Sequence, residues 1–121
     1  MTPNKAAQRT APRDAASQDN AARNDAIAHT EKNQRGRYWI ETNAGEAELT
    51  YQVADAGDRI VINSTFVPID ARGGGVALAL VKRAINDARV TGRKVDPVCP
   101  YVDRLFDRHP EWRDLLAAAP V

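Results

Sequence analysis

Three consecutive glycines, Gly73, Gly74 and Gly75, stand in the middle of VPIDARGGGVALALVKRAINDA, residues 67–88. Before them the apolar residues follow a strand pattern. After them Ala77, Val81, Ala84, Ile85 and Ala88 recur at helical spacing, with Lys82, Arg83, Asn86, Asp87 and Arg89 turned the other way. The period changes across the glycines, so the chain must pass here from strand to helix through a turn. Glycine is a poor helix former, by roughly 1 kcal/mol against alanine. Its use at a helix start implies a backbone that must stay bare for a tight turn or for something that approaches closely.

Around this turn the rest of a small domain can be read. RYWIET is a short apolar segment closed by NAG. In EAELTYQV, Ala47, Leu49, Tyr51 and Val53 alternate with Glu46, Glu48, Thr50 and Gln52, the period of a half-buried strand. ADAGD is a turn by composition, and RIVINSTFV is a third strand rich in β-branched residues. Short turns predict an antiparallel meander. Gly92 is placed to end the helix in a left-handed conformation. RKVDPV then reads as a strand that returns beside RIVINSTFV across the helix, as in a βαβ unit. Cys99 and Pro100 open a second, shorter helix, and His109-Pro110 closes it, with the histidine as a cap for the last carbonyls. EWRDLLAA adds a final turn that packs Trp112, Leu115 and Leu116 on the body.

Residues 1–36 have a different character. Apart from Met1 and Ile27 they offer no large aliphatic side chain, too little apolar surface to offset their ordering entropy. They are expected to form a disordered tail, with a domain over residues 37–121. A chain of 121 residues supports one domain. Its net charge of +1 argues against a nucleic-acid partner. A single cysteine excludes an internal disulfide and favours a reducing compartment. The longest apolar run is far shorter than a membrane span. With no hydrophobic signal core at the start, a cytoplasmic protein without membrane contact is expected. Two histidines and one cysteine lack any metal-ligand spacing, so no metal is expected.

Glycine turns between a strand and a helix commonly serve phosphate, because free N–H groups and the helix dipole both favour an anion there. Two phosphate loops can be tested by counting. The NTPase loop needs a Gly-Lys pair, and the chain has none. The dinucleotide fingerprint needs a small residue three places after Gly75, where Leu78 stands, and only one βαβ unit is present. What remains is Arg72-x-x-Gly75-x-Ala77, unless the glycines only let the loop turn tightly against the sheet.

That pattern resembles the R/Q-x-x-G-x-G/A pyrophosphate turn of the GNAT superfamily of acyl-CoA-dependent N-acetyltransferases. The longer stretch TFVPIDARGGGVALALVKRAINDARVTGRKVDPVCPYVDRLFDRHPEW looks like the minimal single-domain branch of that superfamily. Members carry T-x-V-P, R-G-x-G-x-A and V-x-P-x-C-P-Y-V, followed by His-Pro and an aromatic residue. The resemblance runs from about residue 37 to about residue 116. It implies an α/β (α+β) fold, with a mixed, mainly antiparallel twisted sheet, a splayed strand pair and a central helix that binds coenzyme A.

The resemblance also implies roles. Arg72, Gly73, Gly74, Gly75, Val76 and Ala77 would hold the pyrophosphate of acetyl-CoA through main-chain N–H groups. Val67 would offer its backbone to the pantetheine arm and the acetyl carbonyl. Cys99, matched to a cysteine near the acetyl group, would be placed to form an acetyl-cysteine; alternatively it is a small buried hydrophobe. Tyr101 is either a proton donor to the departing thiolate or a core residue. Where family members often have an acidic residue the chain has Phe66, and Asn63-Ser64 replaces a position where histidine is usual. The general base is thus left open. Glu46 and Glu48 either flank a substrate groove or form the solvated side of a strand.

The expected activity is acetyl transfer from acetyl-CoA to an amine by a monomer or homodimer. The alternatives are a non-catalytic coenzyme A-binding module and a protein that recruits partners through its tail.

Overall fold

The structure is a computed structural model that describes residues 26–117. Five strands form one sheet: β1 (Ala28–Lys32), β2 (Arg35–Thr42), β3 (Gly45–Ala54), β4 (Arg59–Phe66) and β5 (Lys94–Pro97), in that spatial order. The first four are an antiparallel meander. Helix α1 (Val76–Thr91) connects β4 to β5, which returns parallel to β4 with Arg59 opposite Lys94 and Ile62 opposite Pro97. Helix α2 (Pro100–Arg108) and a 3-10 helix (Pro110–Leu115) follow. This is the mixed, mainly antiparallel sheet with a central helix that the sequence predicts. Among the described residues no helix is long and apolar enough to cross a membrane.

The alternation in β3 decides which face of the sheet is buried. Ala47, Leu49 and Tyr51 are buried, and β2 contributes Gly36, Tyr38 and Ile40 to the same side. Helix α1 meets that face with Val76, Leu80, Val81, Ala84, Ile85 and Ala88. Its stripe therefore begins one residue earlier than the sequence pattern predicts: Val76 and Leu80 point inward, and Ala77 is only partly covered. Gly92 ends the helix at φ 74°, its N–H donating to Arg89 O. Val102, Leu105 and Phe106 of α2 complete the core, and Trp112 meets Phe106 edge to face at 5.4 Å.

One expectation needs correction and a second needs refinement. The boundary at residue 36 falls inside the sheet, because β1 pairs with β2 from Ala28 opposite Trp39 to Lys32 opposite Arg35, and Ile27 is buried. The strand is held by its ladder and by polar side chains. His29 stacks on Tyr38 at 4.1 Å and bonds Tyr51 Oη at 2.7 Å, while Arg93 forms a bidentate pair with Glu31. The remainder of the expected tail, residues 1–25, lies outside the described residues. The second only refines the expected cap: His109 is the C-cap of α2, through its main chain. Its backbone N–H, not its ring, donates to Phe106 O at 3.3 Å. The ring stacks on Trp112 at 4.1 Å and bonds Glu111 Oε2 at 2.8 Å.

Candidate active site

Strand β4 supplies one wall of the site because it outlasts its neighbour. Pairing with β5 stops at Ile62 opposite Pro97, and the last link is Cys99 N–H donating to Ile62 O at 2.9 Å. From Asn63 to Phe66 the strand keeps, among the described residues, only β3 as a partner. The register against β3 slips by one residue at Thr50/Tyr51, so both Asn63 and Ser64 face solvent, and Thr65 opposite Leu49 takes the inward position. Such a slip re-aims every later side chain. Two adjacent polar residues after the alternating Ile60 and Ile62 are its trace in the sequence.

Beyond Val67 the chain turns through a short 3-10 segment (Ile69–Ala71) to the glycines. Gly73 and Gly75 have φ of 89° and 82°, whereas Gly74 does not need the left-handed region. Gly75 is the N-cap of α1 and Ala79 N–H donates to its carbonyl at 3.0 Å. The N–H groups of Val76, Ala77 and Leu78, ahead of that bond, lie in the turn that has no intrahelical acceptors. Among the described residues no side chain caps this end, and no acidic residue sits in the first turn. The positive end of the helix dipole is thus left without an anion from its own first turn.

These donors open on a cleft of about 420 Å³. Thr65, Phe66 and Val67 line it from the strand end, Tyr101 from α2, and Ala71, Arg72, Gly73, Gly75, Val76, Ala77 and Leu78 from the turn and α1. Of the residues singled out in the sequence, Val67, Arg72, Gly73, Gly75, Val76 and Ala77 are brought together here. Arg72 does more than line the wall, since its Nε donates to Val67 O at 2.9 Å and ties the turn to the strand end. Burial pushes the Tyr101 hydroxyl above its ordinary range, so it keeps its proton at neutral pH and is able to donate one.

Cys99 is placed differently. It is the N-cap of α2, only 6% exposed, and does not line the cleft; its Sγ lies 3.8 Å from Thr65 Oγ1, one side chain away. Glu46 and Glu48 are on the outer face of the sheet, both paired with Arg37. Ala71 and Leu78 also line the cleft, and they have no signature of their own in the sequence because the turn alone brings them there.

Comparison with known proteins agrees with this geometry. Residues 37–115 match the family described as GCN5-related N-acetyl-transferase. A GCN5-like N-acetyltransferase candidate from Staphylococcus aureus, solved by NMR, superposes with a TM-score of 0.55 at 19% identity, over 78% of this chain and 92% of that one. The crystal structure of a ribosomal-protein-alanine N-acetyltransferase from Brucella melitensis biovar Abortus 2308 gives a TM-score of 0.51 at 18% identity, over 74% of this chain and 67% of that one. At such identities the two structures bear on the fold, while the family match covers most of the chain. A strand that parts from its neighbour, a glycine turn and an uncapped helix start fall inside the matched segment, and the chain belongs to the GCN5-related N-acetyltransferases, a family of acyltransferases.

Proposed function

We propose that the protein transfers an acetyl group from acetyl-CoA to an amine, with the cleft as the acetyl-CoA site. The observation that carries this reading is the uncapped first turn of α1 at the mouth of a cleft that ends on a half-paired strand. Residues 72–77 hold the pyrophosphate through main-chain N–H groups, with Arg72 adding positive charge and bracing the turn. Val67, at the strand end, gives its backbone to the pantetheine arm and the acetyl carbonyl. A donor aimed there stabilises the oxyanion that forms when the amine attacks the thioester. Tyr101 supplies a proton to the departing thiolate.

The glycine turn provides a clean test. A side chain at Gly74 would meet only Ala71 O, at 3.8 Å, and its φ is ordinary, so Gly74→Asp introduces charge with little strain. Calorimetric titration should show acetyl-CoA binding to the wild type and a loss of at least about tenfold in the variant, the cost of one carboxylate set against the pyrophosphate. No heat of binding to the wild type at millimolar ligand would end the reading. For Cys99 to carry the acetyl group its thiol must reach past Thr65. Intact mass after incubation with acetyl-CoA decides that: one acetyl on the wild type and none on Cys99→Ala makes it a carrier, and an unimpaired Cys99→Ala removes it from the reaction.

A further inference from the structure

The outer face of the sheet carries a second arrangement, on the other side of the same strand end. Across β2, β3 and β4, Trp39 lies opposite Glu48 and Glu48 lies opposite Phe66. These three side chains form one row on the outer face, each about 5 Å from the next. The row already contains a cation. The Arg37 guanidinium stands 4.5 Å from the centroid of the Trp39 ring, donates from Nε to Glu48 Oε1 at 2.5 Å and reaches Glu46 with its Nη2. An aromatic ring beside two carboxylates is the chemistry of a cation receptor. Phe66, half exposed at 50%, extends the aromatic surface to the strand end.

The row is joined to the cleft. Thr65 faces the buried side of β4 and Phe66 the outer side, yet both line the same cleft. This is possible because β5 has already left the edge of β4, so the cleft passes through the plane of the sheet. Phe66, the register partner of Glu48, lines the cleft, so a group seated on Glu48 has one side chain between it and the cleft.

We propose that this row is the acceptor site, that it takes an alkylammonium with no carboxylate beside it, and that Arg37 is an internal occupant which the acceptor displaces from Glu48. The proposal rests on the reading of the cleft as the acetyl-CoA site. Two carboxylates attract an ammonium and repel a zwitterionic α-amino acid, which sets the substrate class. Glu48 then acts as the general base. It takes one proton from the ammonium, and the free amine attacks the thioester carbon. The new C–N bond forms first and gives a tetrahedral oxyanion, the second nitrogen proton is released, and the C–S bond breaks as the oxyanion collapses to the amide, so that the thiolate takes up a proton and leaves as coenzyme A. No oxidant or further reactant is needed.

The two halves of the Arg37–Glu48 pair should respond in opposite directions. With 1,4-diaminobutane and with Nα-acetyl-lysinamide as separate acceptors, Glu48→Gln is expected to lower kcat on the order of 100-fold, the range for loss of a general base. Arg37→Ala is expected to lower KM severalfold, because no occupant has to be displaced. Glycine should be a poor acceptor throughout. Preference for the diamine or for the lysine derivative distinguishes a small-molecule from a protein acceptor. The double variant Glu48→Gln with Phe66→Glu returns a carboxylate to the next place in the row and should recover part of the rate. Titration of 1,4-diaminobutane alone reads the site without acetyl-CoA, and titration of acetyl-CoA into each variant reads the cleft. Diamine binding that is unchanged in both variants, or a KM that rises in Arg37→Ala, overturns the acceptor assignment while acetyl-CoA binding leaves the cleft standing. Loss of acetyl-CoA binding in the wild type instead overturns the reading beneath it.

Discussion

A methyl group added to Gly36 would lie 1.9 Å from Cζ of Tyr51. The ring has nowhere to withdraw, since its hydroxyl donates to Glu31 Oε1 at 2.6 Å and bonds His29 Nε2, and the residue is buried. Gly36→Ala should therefore lower stability by about 2 kcal/mol, the cost of overpacking a filled core, as read from urea unfolding. A loss within experimental error would mean that Tyr51 has another rotamer available. The sequence shows Gly36 only as the residue before an apolar run. Its role depends on Tyr51, which reaches it across the β2–β3 pairing as its register partner. The three glycines of the turn have a similar lesson. Their identity points to a bare backbone, but only the dihedrals separate Gly73 and Gly75, which need positive φ, from Gly74, which does not.

Strand β1 is an element that periodicity does not detect. AHTEK has one half-buried and four exposed residues, and its turn Asn33-Gln34 takes positive φ at both positions without the glycine that usually marks such a hairpin. What docks it is polar and titrates. Burial lowers the pKa of His29 from 6.5, against the pull of Asp87 and Glu31, with Arg83 and Arg93 adding to the lowering. The undocked strand therefore binds the proton more readily, and docking weakens as pH falls through about 6.5. Glu31 behaves in the opposite sense. The bond from Arg93 holds its carboxyl at about 2, so its contribution is complete above 4.5 and is lost only as pH falls from there towards 2. Amide protection in β1, corrected for intrinsic exchange, should then decrease between pH 7 and pH 5.5 while that of β3 does not. Equal protection at both pH values would remove His29 from the docking of the strand. Helix α1 and the parallel return of β5 are, by contrast, written in the sequence, because a glycine turn and a change of period leave few other ways to connect them.

For the whole molecule, β1 (Ala28–Lys32) lies before the segment that matches the family, which starts at residue 37. A chain shortened to start at Arg35 would expose the edge of β2 and lose the burial of Ile27, worth about 2 kcal/mol. Its Tm should fall by roughly 10 °C relative to the full chain in a domain of this size. Differential scanning calorimetry of the two decides whether β1 belongs to the cooperative unit. Most of the fold and one side of the site are legible without coordinates. The other side is not, since the row Trp39, Glu48 and Phe66 exists only through the register of three strands.

The N–H groups at the start of α1 belong to the main chain. Replacing one side chain by another does not remove them; proline, an intruding charge or a changed dihedral does. A surface built in this way tolerates drift in nearly every residue around it. That is one physical route by which proteins fewer than one in five of whose residues agree can retain the same architecture.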